Sequence, residues 1–326
     1  MKGKILFISI ISCFLLTGFS TTVKADETDQ SQTSQTNTQN NQTSNNKQQD
    51  NNTQTNKSDS TQDSENNQNQ TNQISNNTPS KNNSGWKVTN GNTYYLKNGA
   101  AIKGLKKING YWYLFNKNGA MLKNVRKVPH TKHYSYFDQL GRRRMKNTST
   151  KKAYYWINKK GQITGIKNNA KVICQRPQMP TGCEITAVTM MLNFAGKKVS
   201  KYQAAKIMPR SSNPNKGFVG SPYKKFPLGF WVAPGGVKPV VQHYLGRPQI
   251  MTNCSINAIK QKLLRSHLVV VWVGMFDGIS NHAITLTGYH GNTLYYNDPW
   301  TGTKRKISVA KFKIHWALDG HRAISY

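Results

Sequence analysis

Four glycines recur at near-equal intervals in the first half of this 326-residue chain. They stand at positions 99, 119, 141 and 161, which are 20, 22 and 20 residues apart. Each follows an aromatic residue or pair and a short polar stretch that contains Asn, Asp or Lys. An aromatic strand followed by a glycine turn predicts a β-hairpin, and units this short need their neighbours to complete a core. The spacing therefore predicts a module of stacked hairpins over residues 85–168.

Residues 85–168 resemble the aromatic hairpin repeats of secreted bacterial wall-binding and glucan-binding proteins, a class that includes choline-binding repeats. The first two units match that pattern well, whereas the third, residues 130–146, diverges and contains the basic run Arg142-Arg143-Arg144. The resemblance implies that aromatic side chains of neighbouring hairpins form ligand sites. We expect most of these rings to pack the hairpins together and a few to bind ligand.

The first 84 residues are expected to export and extend the chain rather than to fold. Residues 1–25 combine two early lysines, an apolar run and small residues that end at Ala25, which is typical of a cleaved signal peptide. Residues 26–84 are almost entirely Gln, Asn, Ser, Thr, Asp and Lys, which predicts a disordered linker. No later apolar run approaches the ~18 residues that a membrane span needs. We therefore expect a secreted protein that is not an integral membrane protein.

Charge is the strongest signal in the composition. The chain has 46 Lys and Arg against 12 Asp and Glu, and residues 1–84 hold six of the bases and seven of the acids, so 40 bases face five acids from Gly85 onward. Such a surface attracts polyanions. Export favours anionic bacterial cell-wall polymers or polysaccharide, bound through the repeats, over nucleic acid as the partner.

The stretch around Cys183 predicts an irregular segment that leads into a helix. Residues 175–182 contain two prolines and a glycine, and the apolar residues that follow recur at helical spacing. Thr181 is the expected N-cap and Gly196 the expected C′ residue. A cysteine in the first helical turn feels the positive end of the helix dipole, which favours thiolate. The alternative is a small buried hydrophobic residue, and position alone does not decide between them.

Residues 171–326 form one predicted globular domain of the α+β class. A second helix is expected at residues 200–208 with Ser200 as its N-cap, followed by a long loop over 209–236 and a helix over 255–266. Strands are predicted at 268–273, 282–289, 292–299, 304–307 and 322–326. Helices first and an antiparallel sheet later is the α+β order.

If Cys183 is a nucleophile, it needs an imidazole and a group that orients the imidazole. His282 opens one predicted strand and Asp298 closes the next, so antiparallel pairing brings them together at one end of the sheet. The domain holds only four acids, and no other His–acid pair has so clear a reason to meet. Each residue alone also fits a plain structural role, as a strand-end histidine and an Asp-Pro turn.

Four motifs in residues 171–326 resemble the secreted double-glycine-peptidase-like family, a group of papain-like cysteine peptidases. They begin at Pro180, Phe218, Asn281 and Asn297 and read PTGCEI, FVGSPY, NHAI and NDP. The resemblance implies a papain-like fold with Cys183 as nucleophile, His282 as general base and acid, and Asp298 as the orienting residue. It also implies a glutamine upstream that donates to the oxyanion. Gln175 fits that position best, and Gln178 is its rival.

These observations together predict a secreted, wall-associated cysteine hydrolase that cleaves a peptide or peptidoglycan amide bond through a thioester. One alternative is a non-catalytic wall-binding protein or adhesin with a peptidase-like domain; another is a cationic antimicrobial protein. No cofactor is expected, and no His or Cys cluster has the spacing of metal ligands. Cys174 and Cys254 are expected to be buried thiols, with a disulfide between them as the alternative.

Overall fold

The computed structural model describes residues 83–225 and 230–326. The predicted signal peptide and all but the last two residues of the predicted linker lie outside these ranges. Among the described residues, no helix is long and apolar enough to cross a membrane.

The first part of the described chain consists of short antiparallel strands. They are β1 (Gly85–Thr89), β2 (Asn92–Lys97), β3 (Ala100–Ala101), β4 (Gly104–Ile108), β5 (Tyr111–Phe115), β6 (Asn124–Lys127), β7 (Tyr134–Phe137), β8 (Thr148–Ser149), β9 (Ala153–Ile157) and β10 (Ile163–Asn168). β1 pairs with β2, β4 with β5, and β6 with β7, each as an antiparallel hairpin. The predicted hairpin repeat is confirmed.

The four recurring glycines all adopt a left-handed backbone, with φ of 78° at Gly99, 79° at Gly119, 76° at Gly141 and 69° at Gly161. A residue with a Cβ pays a steric cost in that region, which explains why each unit places glycine there. In the last three units the turn is held by the side chain three residues earlier. Its oxygen accepts two backbone N–H bonds in each case, at Asn116, Asp138 and Asn158.

Successive hairpins are joined by backbone bonds and by close packing. Met121 N–H donates to Thr93 O and Arg143 N–H donates to Trp112 O, both at 2.8 Å, so each unit is tied to the hairpin before it. A Cβ on Gly141 would lie 2.2 Å from the sulfur of Met121, so contact between units also requires glycine there. Stacking therefore supplies the core that one hairpin lacks.

The second part of the chain adds helices and the strands of a larger sheet. The helices are α1 (Cys183–Phe194), α2 (Lys201–Ile207), α3 (Pro234–Leu245), α4 (Ile256–Leu264) and α5 (Val309–Leu318). The strands are β11 (Gln249–Ile250), β12 (Val269–Phe276), β13 (Ile279–His290), β14 (Thr293–Asp298), β15 (Thr303–Ser308) and β16 (Ala323–Ser325). Both the α+β class and the antiparallel sheet are confirmed.

The large sheet has nine strands and is organised around the twelve-residue strand β13. Its first part pairs with β12, and its last residues pair with β10 and with β14. Because β10 also pairs with β9, the last repeat hairpin extends the sheet of the second half. The sheet is thus continuous across residues 168–171, where the sequence places a domain boundary; that division stays a prediction.

Helix α1 lies at the centre of the core. Its first ten residues, 183–192, are all buried, so it is covered on every side rather than on the one face that the apolar spacing predicts. Thr285 of β13 donates to Ala187 O at 2.9 Å and joins the helix to the sheet. Gly196, with φ of 98°, follows the C-cap as expected.

Two helices were not predicted. α3 begins with Pro-Gly-Gly and contains Pro239, and its start lies within the residues assigned to a loop. α5 alternates apolar and basic residues over much of its length, a pattern with no clear helical period. Both helices are held by burial: Val237 and Val240 in α3, and Phe312 in α5, are completely buried. Tertiary packing outweighs weak local signals in both.

Candidate active site

Cys183 is the first residue of α1. Gly182 occupies the N-cap position without a side-chain cap bond, so the expectation of a Thr181 N-cap is wrong. The Thr181 hydroxyl is instead bonded to the backbone oxygens of Ser221 and Lys224, each at 2.9 Å. These bonds attach the irregular segment before the helix to the loop at residues 221–224. They set the position of Cys183 from outside the helix.

The surroundings of the Cys183 thiol favour its protonated form. Its sulfur is buried and donates to Glu184 Oε2 at 3.2 Å. Burial raises the pKa of the thiol well above 9.0, and the neighbouring Glu184 carboxyl raises it further. The expectation that the helix N-terminus favours thiolate is therefore not met, because burial and a nearby carboxyl outweigh the helix dipole.

His282 and Asp298 are in contact, as the strand arrangement predicts. His282 Nε2 lies 2.8 Å from Asp298 Oδ1, and the two side chains are only 1% and 2% exposed. Burial alone raises the pKa of Asp298, but the hydrogen bond and charge of His282 and the donors of Thr301 and Trp300 lower it to about 2. Asp298 is thus an ionised carboxylate that holds the imidazole ring by Nε2.

Strand β13, which carries His282, also packs against α1, the helix that begins at Cys183. Burial dominates the pKa of Cys183, but the backbone of Ala283, the residue after His282, lies close enough to lower it. With Nε2 on Asp298, the other ring nitrogen, Nδ1, is the one that remains for proton transfer. Cys183 and the His282–Asp298 pair therefore lie on elements that pack together, while their assembly as a triad and their catalytic roles stay predictions.

The two glutamines upstream of Cys183 have different surroundings. Gln175 is 1% exposed, its Nε2 donates to Met179 O and Pro180 O, and its Oε1 has no partner among the described residues. Gln178 uses its oxygen as an acceptor for Lys201. The backbone N–H of Gln175 donates to Pro299 O at 2.7 Å, which ties this segment to the turn beside Asp298. The choice between the two glutamines as oxyanion donor stays open.

Sequence reasoning missed Lys201, which is 9% exposed at the start of α2. Its ammonium donates to Cys174 O at 2.7 Å and to Gln175 O and Gln178 Oε1, both at 2.9 Å. Burial lowers the pKa of this amine. Lys201 holds three oxygens of the segment that carries both glutamines. In the sequence, nothing near a lysine that follows a helix N-cap indicates that the lysine is buried.

Sequence reasoning also missed Glu184, the second residue of α1. In the structure its carboxyl is completely buried, accepts from Cys183 Sγ, and accepts from Val232 N–H at 3.0 Å. Burial raises the pKa of Glu184 to about 7. Trp272 in turn donates to Val232 O at 2.8 Å. Glu184 therefore links the cysteine to the backbone at Val232.

Stability is expected to fall between pH 5 and pH 8 because of Glu184. The pKa of Glu184 is 4.5 when unperturbed and about 7 when folded, so the native state binds this proton more tightly than the unfolded chain does. As the pH rises through 7, about 3 kcal/mol of this contribution is lost. Urea unfolding of wild type and Glu184→Gln at pH 5 and pH 8 measures the difference. The loss should disappear in Glu184→Gln and persist in Asp277→Asn, whose carboxylate is exposed; equal slopes in all three would contradict this.

Among the described residues, the three cysteines form no disulfide. Cys174, Cys183 and Cys254 are all free, so the alternative Cys174–Cys254 pairing is not observed. Cys174 is exposed rather than buried, and Cys254 is partly buried. Within residues 83–225 and 230–326, no cluster of three or more His, Cys, Asp or Glu side chains is arranged to hold a metal ion.

Comparison with protein families gives two matches along the chain. Residues 143–324 match the model described as the Peptidase C39 like family, which is more than half of the sequence. Residues 102–149 match the model of the choline-binding repeat. The first match includes Cys183, His282 and Asp298, and the second covers the second and third hairpins.

Single proteins and solved structures match this chain at low sequence identity. The uncharacterized protein YvpB of Bacillus subtilis (strain 168) is 27% identical over 199 residues, which are 51% of this chain and 79% of that protein. A crystal structure from Bacillus anthracis described as a C39-like peptidase is 26% identical and covers 48% of this chain and 94% of its own, with a TM-score of 0.46. Choline binding protein F from Streptococcus pneumoniae is 23% identical, covers 24% of this chain and 27% of its own, with a TM-score of 0.23.

Proposed function

Because this chain belongs to the Peptidase C39 like family, we propose that it is a secreted, wall-associated cysteine hydrolase that cleaves a peptide or peptidoglycan amide bond. The buried contact between His282 Nε2 and Asp298, on a sheet that packs against the helix beginning at Cys183, carries the proposal. An ionised carboxylate fixes the imidazole, and the strand that carries the imidazole packs against the helix of the cysteine. This is the arrangement that nucleophilic acyl transfer requires.

The reaction proceeds in two steps. His282 Nδ1 takes the Cys183 proton as the sulfur attacks the carbonyl carbon, and it then gives that proton to the departing amine, which leaves a thioester. His282 next takes a proton from water, the resulting hydroxide cleaves the thioester, and the proton returns to the sulfur. Because burial raises the pKa of the thiol, deprotonation accompanies attack rather than preceding it.

The oxyanion is held by the Cys183 backbone N–H and by Gln175, whose segment Lys201 keeps in place. Three Lys201 bonds to that segment and the Gln175–Pro299 backbone bond support this assignment. For Gln175 to donate, its Nε2 must leave Met179 O and Pro180 O when substrate binds. Gln178 is the rival, because Lys201 is bound to its oxygen, and its amide nitrogen is the group that would donate to the oxyanion.

Lys201→Met is expected to lower kcat about 10-fold or more with a smaller change in KM. The segment that carries Gln175 and Gln178 loses the ammonium group that holds it in place. Three oxygens lose a partner, and stability falls by about 1–3 kcal/mol. Lys206→Met, on the exposed side of the same helix, is the control. Steady-state kinetics of both variants measures the difference, and equal kcat values for the two would rule out a positioning role for Lys201.

The repeats bring the enzyme to the wall in this proposal. Support comes from the choline-binding-repeat match over residues 102–149 and from the aromatic cluster around Trp86. The Trp86 ring is 43% exposed and lies 4.9 Å from Tyr113 and 5.1 Å from Tyr95, so one face of a three-ring group is open to a ligand. The predicted signal peptide at residues 1–25 provides export.

A non-catalytic wall-binding protein is the second candidate, and the burial of the Cys183 sulfur favours it. Purified bacterial cell walls incubated with the full chain separate the two functions. The hydrolase releases soluble fragments with new amino termini and also sediments with the walls. Sedimentation without any new amino groups, with walls or with peptide substrates, would leave only the binding function.

A further inference from the structure

One surface of the nine-stranded sheet carries two rows of directly opposed residues that cross β9, β10, β13, β14 and β15. The first row is Tyr154, Lys167, Gly288, Tyr295 and Lys306. The second row is Trp156, Gly165, His290, Thr293 and Ser308. Directly opposed residues of antiparallel strands share a face, so the aromatic and basic side chains of both rows lie on one surface.

Glycines on β10 and β13 leave space between the aromatic residues of this surface, so that the rings stack across the sheet. Trp156 lies parallel to His290 at 4.5 Å and to Tyr295 at 5.6 Å, with Tyr154 edge-on at 4.8 Å. A side chain at Gly165 would collide with His290, and the glycine leaves room for the Trp156 ring to reach it. The result is a broad, preformed ring surface, in which His290 is exposed and the other rings are partly exposed.

Basic residues border the rings. Lys167 Nζ lies 5.1 Å from the Tyr295 ring centre, and Lys306 stands directly opposite Tyr295. Lys304 lies two residues from Lys306 on the same strand and therefore on the same face. A hollow of about 230 Å³ lies among these three lysines and Tyr295, and no Asp or Glu of the described chain lines it. All three lysines are exposed.

We propose that this aromatic–lysine face (Tyr154, Trp156, Lys167, His290, Tyr295, Lys304 and Lys306) binds a linear anionic polysaccharide. The exposed parts of the rings contact the apolar parts of sugar units, and the lysines pair with their acidic groups. Lys167 and Lys306 are three strand spacings apart, about 14 Å at ~4.8 Å per strand. An extended chain spans that distance and a single small anion does not.

The site differs from the two sites of the proposed function, but Tyr154, Trp156 and Lys167 belong to the last repeat hairpin, so the inference rests on and deepens the wall-binding part of that function. It lies in residues matched by the peptidase family model, yet it uses neither Cys183 nor the Trp86 cluster of the repeats. Binding at this face therefore needs no hydrolysis. Nucleic acid presents the same charge, and it is the competing outcome in the test.

The test measures binding of the full chain to dextran sulfate, with neutral dextran and DNA as comparison probes, at 150 mM salt. Lys167→Glu/Lys306→Glu is compared with Lys206→Glu/Lys238→Glu, which makes the same change in net charge at exposed helix positions. The face variant should lose about 10-fold or more in affinity for dextran sulfate and show a shallower salt dependence, and the control should lose less than about 3-fold. Equal losses in the two variants would overturn the proposal.

The rings are tested separately from the charges. Tyr295→Ala should weaken binding of dextran sulfate several-fold while binding of DNA changes less, and Tyr202→Ala, another partly stacked surface tyrosine, should change neither. A Tyr295→Ala variant that binds dextran sulfate like wild type, or loses affinity for DNA to the same extent, would contradict a polysaccharide site. Melting temperatures confirm that each variant is folded.

Discussion

Replacing Cys183 with alanine is expected to lower peptide or amide hydrolysis by about 10⁴-fold or more, because the nucleophile is removed while the surrounding residues remain. The fold should survive. The sulfur is buried and bonded to Glu184 Oε2, so its loss costs about 1–2 kcal/mol from a small cavity and one missing donor. Initial rates and thermal unfolding of the same preparation measure both effects.

Cys254→Ala is the control, since Cys254 is another free cysteine and is partly buried. It should keep wild-type rates. Undiminished hydrolysis by folded Cys183→Ala would show that the chemistry lies elsewhere in the chain. Equal losses in the two cysteine variants would indicate a general effect on the fold.

Asp298→Asn has the second largest expected effect, about 10²–10⁴-fold in kcat. The amide is similar in shape, but it offers one acceptor oxygen where the carboxylate offers two. Trp300 N–H and the Thr301 hydroxyl donate to the two different carboxylate oxygens, each at 2.9 Å, so one of them loses its partner. The negative charge that holds His282 by Nε2 is also lost. The ring is then free to adopt the wrong tautomer.

The same variant changes how stability depends on pH. The pKa of Asp298 is 3.8 when unperturbed and about 2 when folded, so its ionised form contributes stability above pH 4. About 2 kcal/mol of this is lost as the pH falls from 4 to 2. Denaturant unfolding of wild type and Asp298→Asn at pH 5 and pH 2 measures the loss. A fall of the same size in the variant would show that other groups account for it.

Much of the fold follows from local chemistry. The recurring glycines mark left-handed turns, and Ser200 forms a capping box with Gln203 at the position that its sequence indicates. Contact between His282 and Asp298 follows from two strands and one turn. In each case a short stretch of sequence specifies a single geometry.

Other features depend on contacts between distant parts of the chain. Helices α3 and α5 form through burial rather than periodicity. Pairing of β10 with β13 joins residues that are more than 100 positions apart, and nothing within either strand specifies that partner. The burial of Glu184 and Lys201 is similar, since each charged side chain is enclosed by segments far away in sequence. Such environments become visible only in three dimensions.

Hydrolysis through a thioester on Cys183 is the central claim, and mass spectrometry of the quenched protein tests it most directly. The full chain is mixed with a soluble peptidoglycan digest or a peptide mixture, quenched in acid within the first turnovers, and mapped after proteolysis. We expect a hydroxylamine-sensitive acyl adduct on Cys183 in wild type and none in Cys183→Ala. Continued release of new amino groups with no adduct on Cys183 at any quench time would contradict the claim.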